Sequence, residues 1–221
     1  MKKILTASLI AVSAMIFAQS SRNMGDFSKL KVYDRIQAEL IPSDEARVEI
    51  IGNNDGDVET VNKNGELKIK MTAVKLLQGD GIKVKVYYSS LNDIQASQGA
   101  VITSSSPVES SMLGLTANEG SRISLEIETS KLNAKLNSGG EISVSGTAEN
   151  QDIIVNSGGK FSGKKVDSQN AEVTANAGGE AEVYAEKSAK ATTRAGGRIK
   201  IYGNPDDRDE KKIAGGTISF H

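Results

Sequence analysis

The sequence contains no cysteine and no tryptophan, and its single histidine, His221, is the last residue. The absence of cysteine excludes disulfide bonds, a thiol nucleophile and cysteine-ligated zinc. A catalytic serine–histidine pair is excluded as well, because the only histidine is the C-terminal residue. Aromatic residues make up only 4% of the chain, so we expect an interior filled by isoleucine, valine, leucine and alanine.

A large excess of charge of one sign is also missing. Removal of residues 1–18 takes away Lys2 and Lys3 and leaves 25 basic and 28 acidic residues, a net charge of −3. Proteins that bind nucleic acids carry a basic patch or stripe, so we expect no nucleic-acid partner.

The first 18 residues have the pattern of a secretory signal peptide. Lys2 and Lys3 precede an apolar run at residues 4–17, and small residues follow it, which predicts cleavage after Ala18. The run is shorter than the roughly 20 residues that cross a bilayer. We therefore expect an exported protein, in the periplasm, at the cell surface or secreted, whose mature chain of residues 19–221 does not span a membrane.

A glycine recurs at nearly constant spacing through the second half of the chain. Successive members of the series lie 18 to 21 residues apart, a period typical of solenoid proteins. The glycines that we predict to form structural corners are Gly99, Gly120, Gly139, Gly158, Gly178, Gly196 and Gly215.

The residues around each corner alternate between apolar and polar. The third residue after each corner glycine is apolar and the fourth is polar, and a similar alternation precedes the corner, so each repeat is predicted to be strand, corner, strand with one buried face. The residue two positions before the glycine is often asparagine, as at Asn118 and Asn137, and we assign it to the sharp bend because asparagine tolerates positive φ. Hairpins of an antiparallel sandwich would also place glycines between strands, but one common spacing favours a coil of stacked parallel strands.

One outward column supports the stacked arrangement. The second residues after five successive corners alternate in charge, and in a parallel stack they would lie about 4.8 Å apart as favourable pairs. Tyr184 and Tyr202 occupy equivalent positions in adjacent repeats. With a column of serine and threonine beside the charges, we predict an outer binding surface that includes Tyr184, Tyr202 and the charged residues Arg122, Glu141, Lys160, Glu180 and Arg198.

The chain resembles the auto-transporter adhesin head GIN domain family, found in exported proteins of Bacteroidetes-type bacteria and without an assigned biochemical role. The resemblance lies in FSKLKVYDRIQAELIPS from Phe27, VEIIGNNDG from Val48, NGELKIKM from Asn64, the glycine-anchored repeats, and the closing KIYGNP and GGTISFH. It implies an all-β fold, a single-stranded right-handed parallel β-helix with coils of about 19 residues. Residues 19–95 are expected to form irregular first coils or a cap, and residues 96–221 the regular coils.

Two acidic segments are the candidates for chemistry. Residues 206–210 carry three aspartates and a glutamate, and oxygen ligands at every second residue around Gly56 fit a calcium site made of Asn53, Asp55, Asp57 and Glu59. Both segments are also ordinary solvated turns. We therefore expect an exported, non-enzymatic adhesin-like or cell-envelope module without a cofactor, whose partner is a glycan or a cell-surface protein. The alternatives are a polysaccharide-acting β-helix enzyme and a self-assembling envelope protein.

Overall fold

The computed structural model describes residues 19–51 and 55–221, so the predicted signal peptide lies outside the described residues. The described part contains two short 3₁₀ helices, Asp55–Asp57 and Ala73–Lys75, and none of its helices has the length and apolar character needed to cross a membrane. Its 19 strands are β1 (Gln19–Asn23), β2 (Lys29–Val32), β3 (Gln37–Pro42), β4 (Arg47–Ile51), β5 (Val58–Lys63), β6 (Glu66–Met71), β7 (Lys83–Tyr88), β8 (Asp93–Ala96), β9 (Val101–Ser104), β10 (Val108–Asn118), β11 (Arg122–Asn137), β12 (Glu141–Val155), β13 (Lys160–Asp167), β14 (Asn170–Asn176), β15 (Glu180–Tyr184), β16 (Ser188–Arg194), β17 (Arg198–Tyr202), β18 (Asp207–Ile213) and β19 (Thr217–Phe220).

The strands stack as parallel coils of about 19 residues, and the predicted solenoid is confirmed. Strands that follow a glycine corner form one sheet, the post-corner sheet, in the order β9, β11, β12, β13, β15, β17 and β19. Strands that precede a corner form the pre-corner sheet, in the order β8, β10, β11, β12, β14, β16 and β18. The long strands β11 and β12 contribute to both sheets.

Equivalent apolar residues lie directly above one another inside the coils. Ile123 pairs with Ile142, and Ile142 pairs with Phe161, and all three are buried. Full burial of such a side chain contributes roughly 1.5 to 3 kcal/mol. The third residue after every predicted corner is buried: Ile102, Ile123, Ile142, Phe161, Ala181, Ile199 and Ile218.

The corners are tight turns with two consecutive residues at positive φ. In the corner at 118–121, Glu119 and Gly120 have φ of 55° and 68°, and the amide of Ser121 donates to the carbonyl of Asn118 at 3.1 Å. Positive φ at both central positions is the pattern of a type I′ turn. The left-handed residues are therefore the glycine and the residue before it, and the assignment of positive φ to the asparagines was wrong.

The first coils stack out of chain order. Strands β2 and β3 lie between the coil of β6 and β7 on one side and the coil of β8 and β9 on the other. Beyond β6 and β7, the strands β1, β4 and β5 run antiparallel and cover the end of the stack. Arg22 of β1 donates to the carbonyls of Asp55 and Val58 at 2.8 and 2.9 Å and so ties β1 to the start of β5.

The last pre-corner strand, β18, has charged residues at positions where the equivalent residues of the preceding coils face the core. Glu210 and Lys212 of β18 pair with Ala191 and Thr193 of the preceding coil, but every side chain of β18 is exposed. An exposed edge with charged core-facing positions disfavours the addition of another strand. Strand β18 therefore ends the stack in the way that capping repeats end other solenoids.

Candidate binding surface

The five outward residues of alternating charge, hereafter the charge ladder, lie on adjacent strands of the post-corner sheet, and each is opposite the next. Arg122 forms an ion pair with Glu141, with both of its contacts to Oε2 at 3.0 Å. Arg198 donates to Glu180 Oε1 at 2.6 Å. Lys160 lies between Glu141 and Glu180, but no ion pair joins it to another described residue. Four of the five charges therefore form two ion pairs, and the central one, Lys160, has no ion-pair partner among the described residues.

A column of hydroxyl side chains runs beside this ladder. Thr103, Ser124, Ser143 and Ser162 lie opposite one another on β9, β11, β12 and β13. Three of them, Ser124, Ser143 and Ser162, line a groove of about 450 Å³, hereafter the serine groove. None of these three hydroxyls makes a hydrogen bond to another described residue. Their donors and acceptors are consequently available to a ligand.

The asparagines before the corners form a ladder that uses its hydrogen bonds internally. Asn137 donates to Asn118 at 2.8 Å, Asn156 donates to Asn137 at 3.0 Å, and Asn176 donates to Asn156 at 2.8 Å. This ladder stabilises the stack of corners. Apart from Asn176 Oδ1, which is buried and has no hydrogen-bond partner among the described residues, the amide oxygens are used within the ladder. It is therefore a poorer ligand surface than the serine column.

A shorter polar ladder lies on the pre-corner sheet and is partnered in the same way. Asn170 donates to Asn150 Oδ1 at 3.0 Å, and Ser188 donates to Asn170 Oδ1 at 2.8 Å. The serine column is therefore distinguished by its free hydroxyls, and the sequence pattern, which shows only residue types, gives no sign of that difference.

A bulge in β13 shapes one end of the serine groove. Ser143 pairs with Ser162, but Ser145 pairs with Lys165, so β13 has one extra residue between these pairs. Such a bulge re-aims the side chains that follow it. Both Lys164 and Lys165 are exposed and line the groove. The repeat pattern does not assign these lysines to the binding surface. The one sign of the bulge in the sequence is Gly163, a glycine within a strand of alternating apolar and polar residues.

The two predicted tyrosines lie opposite each other on β15 and β17. The ring of Tyr202 stacks on His221, with 5.3 Å between centroids. The hydroxyl of Tyr184 donates to Glu186 at 3.3 Å, and loss of hydration, followed by the charge of Glu186, raises the pKa of Tyr184. Both tyrosines lie on the same sheet as the ladder, beyond the serine groove.

The calcium candidates are not gathered into one site by the residues that the structure describes. Asn53 lies outside them. Glu59 pairs with Lys70 at 2.8 Å, and the carbonyl of Asp55 accepts a hydrogen bond from Arg22, whose positive charge would oppose a calcium ion there. Over residues 19–51 and 55–221, acidic and histidine side chains form no group of three that could hold a metal ion.

A second groove, of about 580 Å³, lies on the pre-corner sheet and contains part of the C-terminal acidic segment. Lys190 lies in register between Glu172 and Asp209 and donates to Glu172 at 2.7 Å. That hydrogen bond, together with the surrounding carboxylates, raises the pKa of Lys190. The groove therefore mixes charges of both signs, and its acidic side chains are Asp152, Glu172, Asp207 and Asp209.

Solved structures from Bacteroides and Parabacteroides species share this fold. A "putative adhesin" from Bacteroides fragilis NCTC 9343 superimposes with a TM-score of 0.85 at 17% identity, covering 92% of this chain and 96% of that one. A "putative adhesin" from Parabacteroides merdae ATCC 43184 gives 0.75 at 19% identity, with 92% and 95% covered. A "putative lipid binding protein" from Parabacteroides distasonis ATCC 8503 gives 0.72 at 19% identity, with 92% and 96% covered. At these identities the likeness shows the fold alone.

No curated protein matches the chain in sequence. The family described as "Putative auto-transporter adhesin, head GIN domain" matches residues 26–205, which include the first coils, the serine groove and the complete charge ladder. The chain therefore belongs to the head GIN domain family of adhesin-like proteins.

Proposed function

We propose that this chain is an exported, non-enzymatic adhesin-like module that binds a glycan along the serine groove. The observation that supports the proposal is the row of unpartnered hydroxyls at Ser124, Ser143 and Ser162, in contrast to the internally bonded asparagine ladder. Hydroxyls that are held in fixed positions by a stacked sheet lose little conformational freedom when a ligand binds.

A glycan is the ligand that this chemistry favours. Sugar hydroxyls both donate and accept hydrogen bonds, as serine hydroxyls do. The groove lining contains no aromatic side chain, so recognition would depend on hydrogen bonds and charge. Adjacent serines about 4.8 Å apart suit a linear chain that lies across successive coils.

A glycan array tests this proposal with the mature chain of residues 19–221. We expect saturable binding that is lost in the double variant Ser143→Ala/Ser162→Ala and kept in Ser130→Ala, an exposed serine outside the serine groove. Thermal melting of each variant separates loss of binding from loss of fold. An array without signal, or equal binding by the double variant, would refute the proposal. A calcium titration in the same melting assay, with Asp57→Asn as the comparison, tests the predicted calcium site.

A polysaccharide-acting enzyme is the second candidate, favoured by the carboxylates of the second groove. Glycoside hydrolysis uses a pair of carboxyl groups, and Asp152 and Glu172 lie on adjacent strands there. Incubation with a panel of polysaccharides, followed by chromatography of the products, would reveal cleavage. Cleavage that is lost in Asp152→Asn would establish the enzyme and displace the adhesin proposal.

A further inference from the structure

We infer that the glycan bound in the serine groove is acidic, and that its carboxylate or sulfate groups contact the lysines of β13. The inference rests on the proposed glycan-binding function and adds the ligand class. The lysines concerned are Lys160, Lys164 and Lys165, which share one short strand with the groove residue Ser162.

The first lysine is free because the ladder has an odd number of charges. Each carboxylate beside Lys160 is already in an ion pair, Glu141 with Arg122 and Glu180 with Arg198. Lys160 is exposed, and no ion pair joins it to any part of the chain that the structure describes. An anionic group would provide this ammonium with the partner that the protein does not.

The other two lysines are brought to the groove by the β13 bulge. The extra residue turns both Lys164 and Lys165 outward at the edge of the groove. Lys164 approaches Glu182 only at 3.8 Å, and Glu182 is held more closely by Lys200 at 3.0 Å. Lys165 forms no ion pair with the described residues. β-Bulges are over-represented next to active sites, where they re-aim side chains, and this one turns two consecutive lysines toward the groove.

The spacing of the charges favours a polymer over a single small anion. Residues 160 and 164 are separated by four positions, roughly 13 Å along an extended strand, with Ser162 between them. A single carboxylate contacts both ammonium groups only if the two lysine side chains extend fully toward each other over Ser162. A glycan chain that lies across the coils and crosses β13 at Ser162 passes between Lys160 and Lys164, so anionic groups on its two sides can contact both lysines while its hydroxyls contact Ser143 and Ser162.

Other polyanions fit this surface less well. Proteins that bind single-stranded nucleic acid stack bases on aromatic side chains, and the lining of the serine groove has none. Binding to a lipid surface uses exposed apolar side chains beside the basic ones, and the apolar residues of β13, Phe161 and Val166, are buried. The hydroxyl row and the lysines together therefore favour an acidic glycan.

Calorimetry with an oligogalacturonate and a neutral cello-oligosaccharide of equal length tests the inference on residues 19–221. We expect tighter binding of the acidic probe, weakened by added salt, and a loss of about tenfold or more in Lys160→Gln/Lys165→Gln. Lys131→Gln is the matched control, since Lys131 is an exposed lysine of the second groove. A heparin oligosaccharide distinguishes sulfate from carboxylate as the preferred group. Melting curves verify that each variant is folded.

The outcomes separate this inference from the proposed function. If the neutral probe binds in a serine-dependent way and the acidic probe binds no more tightly, the inference of an acidic ligand is overturned, while the proposed glycan-binding function stands. An equal effect of Lys131→Gln would overturn it too. Binding of single-stranded DNA or of anionic vesicles with the same dependence on Lys160 and Lys165, and without acidic glycan binding, would replace the glycan by another polyanion. The absence of detectable binding to every glycan would refute both the inference and the proposed function.

Discussion

The ring of Phe161 occupies the space that a side chain at residue 163 would need. A Cβ atom on Gly163 would lie 2.5 Å from Cε1 and 2.9 Å from Cζ of that ring. Phe161 is the only aromatic residue in a buried column that otherwise holds isoleucine and alanine. In the next coil, Val183 stands opposite Gly163. Gly163 therefore compensates for the size of Phe161.

We expect Gly163→Ala to lower the free energy of unfolding by about 1 to 3 kcal/mol, the usual cost of overpacking a core. In a Phe161→Ile background the same substitution should cost much less, because the ring that it meets has been removed. Chemical denaturation of the four proteins of this cycle measures the coupling between the two sites. An identical cost in both backgrounds would show that Gly163 is needed for the backbone of the bulge instead.

The asparagine ladder should contribute measurably to stability. Asn137 donates to Asn118 Oδ1 and accepts from Asn156 Nδ2, so Asn137→Ala removes the ladder partner of these two partly buried atoms. We expect a loss of about 1 to 3 kcal/mol. Asn133 lies in the same strand and makes no side-chain hydrogen bond to a described residue, so Asn133→Ala should be nearly neutral. Equal melting temperatures for the two variants would contradict the structural role of the ladder.

The regular coils could be predicted from sequence because each coil repeats the same physical constraints. A glycine at positive φ and an alternating apolar column recur at one period, so the register that places Ile123 opposite Ile142 follows from spacing alone. The alternating charges gave the same register independently. Neither argument depends on contacts between residues that are distant in the sequence.

The features that could not be predicted depend on contacts that do not recur from coil to coil. Neither the coil of β2 and β3 nor the coil of β6 and β7 contains a corner glycine of the repeat series, so no spacing revealed their out-of-order stacking. The prediction of positive φ at Asn118 was wrong, because residue type alone cannot distinguish an asparagine with a left-handed backbone from one whose side-chain amide hydrogen-bonds to the next coil. For the candidate site, the charged column was predicted, but the free hydroxyl of Ser143 and the outward position of Lys165 depend on hydrogen bonding and on one bulge.

The left-handed corner positions offer a stabilising substitution. Ala177 has φ of 47° and is exposed, and a left-handed conformation costs most L-residues roughly 1 to 2 kcal/mol, whereas asparagine adopts it more readily. Ala177→Asn should therefore raise the free energy of unfolding by about 0.5 to 1 kcal/mol. Ala73, an exposed alanine without positive φ, provides the control Ala73→Asn. A gain of the same size at both positions would exclude the backbone explanation.

The first coils should lose one contribution to stability in acid. Lys31 and Lys68 bind the two carboxylate oxygens of Glu66 at 2.8 and 3.1 Å, and these hydrogen bonds, that of Lys31 foremost, lower the pKa of Glu66 from its ordinary value of 4.5. A lowered pKa in the folded state means that the stabilisation is present above pH 4.5 and disappears as the pH falls through the folded value.

Glu66→Gln should therefore melt below the parent protein at pH 7, by an amount that corresponds to about 1 kcal/mol or less for a partly exposed pair. Melting curves between pH 7 and about pH 3 should converge, because the parent carboxylate becomes protonated and loses the same interaction. The matched control is Glu128→Gln, an exposed carboxylate for which no ion pair is found among the described residues. A difference that widens toward acid would show that protonated Glu66 is the stabilising form, contrary to the geometry of its two lysines.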